Sequence, residues 1–191
     1  MTSNRTPFPI RTQLTMATLG LASLLGACSS LPAPQAMLID NSALPEAVRA
    51  PAGHKQVLAS TGSGEITYEC RARKDQASAF EWAFVAPVAS LKDPAGQTIG
   101  RYYAGPTWEA RDGSKVSGKQ VAVAPASAGN IPLQLVKADP AVGAGAMQGV
   151  SYIQRLATRG GVAPSEACDA SLAGQRRQVA YQADYIFDRA S

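Results

Sequence analysis

The feature that most constrains the fold of this chain is an alternation of apolar and polar side chains with a period of two residues. Near the start of the alternating region, the apolar positions are Ile66, Tyr68 and Cys70, and the polar ones are Glu65, Thr67, Glu69 and Arg71. Near the carboxyl terminus, Val179, Tyr181, Ala183, Tyr185 and Phe187 alternate with Ala180, Gln182 and Asp184. A period of two places each set on one face of a β-strand, so both segments are predicted strands, and Cys70 should point inward.

Further strand-like runs lie between these two segments and are separated by Gly, Pro, Asp and Ser. They cover residues 80–85, 98–103, 115–124, 131–137 and 150–158. Asp93-Pro94-Ala95-Gly96 suits a type I turn and Asp112-Gly113 a tight hairpin. About eight or nine short strands with little helix predict an all-β domain, either an antiparallel β-sandwich or a partly closed β-barrel, and we slightly favour the sandwich. Residues 164–174 could hold one helical turn.

The first 27 residues have the pattern of a secretory signal peptide. Arg5 and Arg11 precede an apolar stretch over residues 14–25 that contains no acidic residue. This stretch is shorter than the roughly 20 residues that a membrane-spanning helix needs. We therefore expect residues 1–27 to be removed during export.

Cys28 follows this stretch within the motif Leu25-Gly26-Ala27-Cys28, which resembles the lipobox of bacterial lipoproteins. The resemblance implies that the thiol of Cys28 is lipidated and that the lipid attaches the protein to a membrane. Ser29, in place of an Asp, implies by the sorting rule of Gram-negative lipoproteins an outer-membrane location facing the periplasm. The alternative is ordinary secretion with cleavage at another small residue.

The remaining chain divides into a linker and one domain. Residues 28–50 contain Pro32, Pro34 and Pro45 among Ala and Ser without a sustained period, which predicts a flexible tether. Residues 51–188 form the predicted single β-rich domain. Loss of the two signal-peptide arginines lowers the formal net charge from +4 to +2. This small charge gives no electrostatic support for nucleic-acid binding.

The cysteine count agrees with export. Of three cysteines, Cys28 is assigned to lipid, which leaves Cys70 and Cys168 as a pair in an oxidising compartment. We predict a disulfide between them. Two buried free thiols are the alternative, because free cysteine packs as a small hydrophobic residue.

No motif in the sequence predicts a cofactor or a metal. Gly143-Ala144-Gly145 with Gly149 approaches a dinucleotide fingerprint, but a strand pattern rather than a helix follows, so we predict a mobile loop. There is no phosphate-binding loop and no serine nucleophile elbow. His54 is the single histidine, and the two remaining cysteines are predicted to be bridged, so a zinc site would need carboxylates for most of its ligands and we expect no structural metal.

The densest group of candidate binding residues is the stretch from Arg101 to Ser114. Gly105-Pro106 interrupts a strand pattern between aromatic residues, so Tyr102, Tyr103 or Trp108 could line a cavity. Glu109 and Asp112 could supply carboxylates for acid-base chemistry. The alternative is a packed corner with a conventional hairpin. The last two candidates are Arg155 and Asp184. If Trp108 forms a buried cluster with them, these residues are scaffold, whereas if they line a cavity, they form a binding site.

Several motifs together resemble the domain-of-unknown-function 3455 family. They are Tyr68-Glu69-Cys70, Trp82-Ala83-Phe84 with Ala86-Pro87, the segment Tyr103 to Glu109, Asp112-Gly113-Ser114, Tyr152 to Arg155, Gly160-Gly161 and Ala183-Asp184-Tyr185. The similarity runs from about Pro45 to Phe187. The resemblance implies a secreted protein without an established activity, and it supplies no catalytic residue.

Three functions remain open from the sequence. The first is a lipid-anchored periplasmic module that binds a small or envelope-derived ligand, or a partner protein, without chemistry. The second is a hydrolase or isomerase that uses Glu109, Asp112, Asp184 or His54 in a β-lined cavity, which requires at least two of these groups to converge. The third is a structural component of the envelope. Ligand identity and oligomeric state lie beyond the sequence.

Overall fold

Eight antiparallel strands form a closed barrel in the computed structural model, which describes Met1, Thr2 and residues 37–191. Each strand pairs with the next along the chain, and β8 pairs with β1 to close the ring. The strands are β1 (His54–Ala72), β2 (Phe80–Lys92), β3 (Thr98–Tyr103), β4 (Thr107–Ala110), β5 (Lys115–Ala124), β6 (Leu133–Ala138), β7 (Val150–Gly160) and β8 (Arg176–Ala190). The all-β prediction is confirmed.

Of the two architectures left open by the sequence, the structure adopts the barrel, so the slight preference for a sandwich was wrong. The closing contact joins distant parts of the chain: Thr61 of β1 pairs with Asp184 of β8, 123 residues later. Such a pairing leaves no trace in the local alternation, which is the same in sandwiches and barrels.

Helical structure is limited to short 3₁₀ turns over Asn41–Ala43, Glu46–Val48 and Ala170–Leu172. The last of these lies within residues 164–174, where a helical turn was expected. The predicted Asp93 turn is also present, with the Gly96 amide donating to the Asp93 carbonyl at 2.9 Å. Within the part of the chain that the structure describes, no helix is long and apolar enough to cross a membrane.

The strand register determines which side chains face the barrel interior. Directly paired residues in antiparallel strands point to the same side. Tyr102 pairs with Trp108, Ile153 with Phe187, and Tyr68 with Phe84. These inner positions belong to, or pack against, one hydrophobic cluster that includes Ile66, Trp108, Tyr185 and Phe187.

One end of the barrel is closed by a loop, and we call it the plugged end. It carries the β2–β3, β4–β5 and β6–β7 connections. In the β6–β7 loop, Met147 is 1% exposed and joins the inner cluster. The loop is fixed by two hydrogen bonds, from the Ala146 amide to Asp112 Oδ2 at 2.7 Å and from the Met147 amide to Ser114 Oγ at 3.1 Å. The prediction of a mobile loop at residues 143–149 was wrong, because these contacts bind it to the barrel.

The opposite end of the barrel has a gap in its wall, and we call it the notched end. The β3–β4 hairpin ends at residues 104–106, whereas β2 and β5 continue past it. β2 pairs with β3 only from Val88 onward, and β5 pairs with β4 only up to Ser117. Residues 80–87 and 118–124 therefore border a notch that is two strands wide.

Residues 37–50, which we call the strap, pack on the outside of the barrel. Val48 is fully buried in a second hydrophobic cluster with outward-facing residues that include Leu135, Leu156 and Ile186. The Gln154 side chain donates to the Val48 carbonyl at 2.7 Å. The predicted flexible tether therefore does not extend over residues 37–50. Its remainder, the predicted signal peptide and Cys28 lie outside the described residues.

The predicted disulfide is confirmed. Cys70 of β1 is bonded to Cys168 in the β7–β8 connection, with the two Cα atoms 5.6 Å apart. Backbone hydrogen bonds join the same two segments, from Gly174 to the Cys70 carbonyl and from Cys70 to the Gln175 carbonyl, both at 2.9 Å. The bond therefore holds the β7–β8 connection against β1 at the notched end.

Candidate ligand cleft

Aromatic side chains fill the middle of the barrel. The Tyr102 and Trp108 rings stack with centroids 4.8 Å apart, as expected for directly paired inner residues. Tyr185 lies 5.1 Å from Tyr102 and 5.7 Å from Trp108. The ring of Tyr185 fits because Gly62 lacks a side chain: a Cβ there would come within 2.6 Å of it. Trp108, at 1% exposure, is therefore part of a packed scaffold.

Above this aromatic layer, the notch opens into a cleft of about 520 Å³. Tyr102 forms part of its floor, and the free parts of β2 and β5 form two of its sides. The inward side chains that matter for recognition are Phe84, Tyr102, Gln120, Gln134 and Arg155. A cleft of this size is typical of small-molecule sites.

Arg155 enters the cleft from β7. It pairs with Gln134 on one side and with Tyr185 on the other, which places it on the inner face of the barrel. Its Nε and Nη2 groups donate to the Pro132 carbonyl at 3.2 and 2.9 Å. The guanidinium is therefore held in place by a neutral acceptor, and its full positive charge remains.

The tyrosines around Arg155 are hydrogen-bond donors. Burial raises the pKa of Tyr102 and Tyr185, and the positive charge of Arg155 opposes the shift at both. Both hydroxyls are consequently protonated at neutral pH. The Tyr185 hydroxyl lies 3.4 Å from that of Tyr181, whereas the Tyr102 side chain borders the cleft and its hydroxyl forms no hydrogen bond with a described residue.

The charge of the cleft has one sign. Arg155 is the charged side chain on its inner face, Lys119 borders it from the outward-facing row of β5, and no Asp or Glu lines it. Across the described residues, the ion pairs of this chain involve other arginines, and no carboxylate lies within 4.0 Å of Arg155. The cleft therefore combines positive charge, amide groups and aromatic surface.

Tyr103 and Glu109, both candidates from the sequence, lie on the outer wall. They alternate with Tyr102 and Trp108 along β3 and β4 and so point away from the cleft. The Glu109 carboxylate accepts from Tyr103 at 2.7 Å and from Arg101 at 2.9 Å. These two hydrogen bonds, with that from Tyr103 the stronger influence, lower the pKa of Glu109. The Glu109 carboxylate therefore belongs to a hydrogen-bonded network on the outer surface of the barrel.

Asp112 and Asp184 lie at two further places. Asp112 is at the plugged end, where the Ser114 hydroxyl, the Ala146 amide and the Ser114 amide donate to it and lower its pKa. Asp184 is on the outer face of β8 and accepts from the Thr61 hydroxyl at 2.8 Å. His54 lies at the start of β1, with its Nδ1 near the Pro51 carbonyl. The convergence required for the acid-base hypothesis is therefore not present among Glu109, Asp112, Asp184 and His54.

A second, smaller cavity of about 190 Å³ lies under the strap and was not found from the sequence. It is lined by His54 and by Asp188, which is 4% exposed and whose Oδ2 accepts no hydrogen bond from the described residues. Burial raises the pKa of Asp188 to about 6, and the charge of His54 opposes the shift. The alternation of β8 could have identified Asp188 as outward-facing, but not that the strap covers it. Nowhere in the described chain do three or more His, Cys, Asp or Glu residues group as metal ligands.

Comparison with known proteins gives one match. The family model described as Protein of unknown function (DUF3455) matches residues 51–188. This range covers almost the whole barrel, including the notch and all the residues of the cleft. No curated protein and no solved structure matches the chain.

Proposed function

Because this chain belongs to the DUF3455 family, which is described only as proteins of unknown function, we propose a function from the cleft itself. The protein is a lipid-anchored module of the bacterial envelope that binds a small molecule at the notched end of its barrel. The observation that carries the proposal is the half-buried Arg155, without a carboxylate partner, beside the free hydroxyl of Tyr102 in a cleft of about 520 Å³.

The edges of the notch favour a small ligand over an added β-strand. Pro87 lacks an amide hydrogen on the free part of β2, and the β5 pairing is interrupted by a bulge between Gln120 and Ala122. Natural proteins use proline, lysine and bulges to prevent pairing along exposed strand edges. Such edges keep the notch free of other chains while leaving it open to small molecules.

The lipid anchor rests on the motif that ends at Cys28, and the disulfide between Cys70 and Cys168 agrees with an oxidising compartment. The strap begins near the plugged end, where the Ile39 amide donates to Gln56 Oε1 at 3.1 Å. We propose that the anchoring membrane, by the residue at position 29, is the outer membrane and that the protein faces the periplasm.

The binding function is tested with two dyes that share one aromatic skeleton: 8-anilino-1-naphthalenesulfonate, an anion, and N-phenyl-1-naphthylamine, which is neutral. The mature chain, residues 28–191 with Cys28→Ser, is used so that neither the lipid nor the apolar stretch at residues 14–25 requires detergent. We expect fluorescence enhancement by at least one dye, and its loss in Gln134→Trp, which fills the cleft. Gln182→Trp, on the outer face of β8, is the matched control. Equal dye binding by both tryptophan variants would refute the cleft as the site.

The anchor is tested separately in cells. Wild-type protein should incorporate labelled palmitate and sediment with membranes, whereas Cys28→Ser should do neither. Wild-type protein that sediments with membranes but incorporates no labelled palmitate would contradict anchoring by lipid.

A further inference from the structure

We infer that the ligand of the cleft is a small acid: a molecule with one anionic group bound by Arg155 and a planar or apolar body that packs on the aromatic walls. This inference rests on the proposed binding function and narrows it to one ligand class. It follows from three properties of the cleft, namely its unbalanced charge, its free donors and its exposed aromatic rim.

Arg155 differs from five other arginines of the described chain in having no carboxylate partner. Five arginines of the described chain have a carboxylate within 4.0 Å, and all five are on the surface or at strand ends. Arg155 is half-buried, as Arg177 is, but it has no such partner. An arginine withdrawn from water is stabilised when an anion accepts from its guanidinium. The cleft contains no acid of its own, so a ligand is the available source of that anion.

The free donors match the shape of a carboxylate or sulfonate. The Pro132 carbonyl accepts from Nε and Nη2 of Arg155, and Nη1 has no acceptor in the described residues. A guanidinium presents paired N–H groups that fit two oxygens of one anion. The protonated Tyr102 hydroxyl and the amide side chains of Gln120 and Gln134 line the same cleft. Donors therefore outnumber charged acceptors around the position of the anion.

The exposed apolar side chains at the mouth of the cleft indicate the chemistry of the rest of the ligand. Phe84 is directly opposite Tyr68 on the inner face, with the rings 6.2 Å apart, yet it is 57% exposed. Val123, on the other side of the notch, is 45% exposed. Large apolar side chains left exposed at the mouth of a cleft are typical of a surface that a ligand covers. The body of the ligand is therefore apolar rather than a sugar or a polyphosphate.

The test compares the same two dyes in a third variant, Arg155→Met. We expect this change to weaken binding of the anionic dye at least about tenfold, since a hydrogen-bonded charge is removed, and to leave binding of the neutral dye within about twofold. Arg159→Met, an exposed arginine four residues later on β7, is the control of equal charge and should change neither. Arg155→Lys, which keeps the charge and loses the paired donors, should give an intermediate loss.

The possible outcomes separate the inference from the function on which it rests. Arg155→Met could weaken the binding of both dyes equally or of neither, while Gln134→Trp still blocks binding. In that case the cleft binds ligands but does not recognise an anionic group, and the inference is wrong. If Arg159→Met has the same effect as Arg155→Met, net charge rather than the cleft is responsible, which also overturns it. If Gln134→Trp has no effect on either dye, the proposed function itself fails.

Discussion

The two ends of the barrel are built from the same eight strands but differ in how their polar side chains are paired. At the plugged end, Met147 enters the core and Asp112 accepts three hydrogen bonds from the chain itself. At the notched end, the Arg155 guanidinium donates to the neutral Pro132 carbonyl and has no carboxylate within 4.0 Å among the described residues. Asp112 at the plugged end is thus committed to holding the loop, whereas Arg155 at the notched end remains available to a ligand.

The disulfide is the largest single stabilising contribution that we expect at the notched end. Reduction, or Cys70→Ser with Cys168→Ser, should lower the free energy of unfolding by about 2–5 kcal/mol, because the bond closes a loop with a sequence separation of 98. Guanidinium denaturation measures this change, with Cys28→Ser as the control.

Hydrogen exchange shows where that loss acts. Without the disulfide, backbone amides of β8 near Arg176 should exchange faster than in the wild type. Amides near Phe187, toward the plugged end, should still exchange only through global unfolding. Equal loss at both places would mean that the two ends are not independent.

Met147 tests the plug directly. Met147→Ala should reduce the free energy of unfolding by about 3 kcal/mol, since it leaves a cavity in a closed core. Val123→Ala at the notched end, where the side chain is 45% exposed, should cost less than about 1 kcal/mol. Chemical denaturation of the two variants measures the contrast, and similar losses would show that the notched end is packed as tightly as the plugged end.

Much of the fold could be predicted from the sequence because strand alternation is local. The period of two identified the buried faces around Cys70 and Tyr185, and the disulfide followed from the cysteine count. The ring closure and the strap could not be predicted. Closure depends on pairing between β1 and β8, and the strap is held by outward residues such as Leu156 and Ile186, whose partners lie far away in sequence.

The candidate site was predicted in part, and the errors have a physical cause. Tyr102 and Arg155 do lie in one cleft. Tyr103 and Glu109 were grouped with them because they are adjacent in sequence, although neighbours on a strand face opposite sides. Gln120 and Gln134 were not singled out, since an amide side chain carries no pattern that marks it as inward-facing at a bulge.

The pH dependence of stability tests the cavity under the strap, which lies on the outer face of the barrel near the plugged end. Burial raises the pKa of Asp188 to about 6 from its ordinary value of 3.8, so between these pH values the folded state holds a proton that the unfolded state releases. Stability should therefore be highest below about pH 4 with respect to this group, and should fall as the pH rises through 6. Asp188→Asn removes this penalty.

We expect Asp188→Asn to be more stable than wild type at pH 8 by about 1–2 kcal/mol, less than the full shift would give because solvent at the cavity screens the charge. The gain should vanish near pH 4, as measured by denaturation across that range. His54→Gln should move the wild-type loss to higher pH, since His54 lowers the pKa of Asp188. A gain from Asp188→Asn that is the same at pH 4 and pH 8 would contradict the assignment.

The smallest effect on stability, and the sharpest test of the notch, comes from Pro87. Pro87→Val adds an amide hydrogen to the free part of β2 and should change the free energy of unfolding by less than about 1 kcal/mol. It should nevertheless promote concentration-dependent association, because an unpaired apolar strand edge pairs readily with another chain. Size-exclusion chromatography at increasing concentration measures this. Pro94→Val, in the β2–β3 turn at the plugged end, adds the same hydrogen away from any free edge and should associate no more than the wild type does. If both variants behave as wild type, proline is not what keeps the notch open, and the bulge in β5 becomes the element that does.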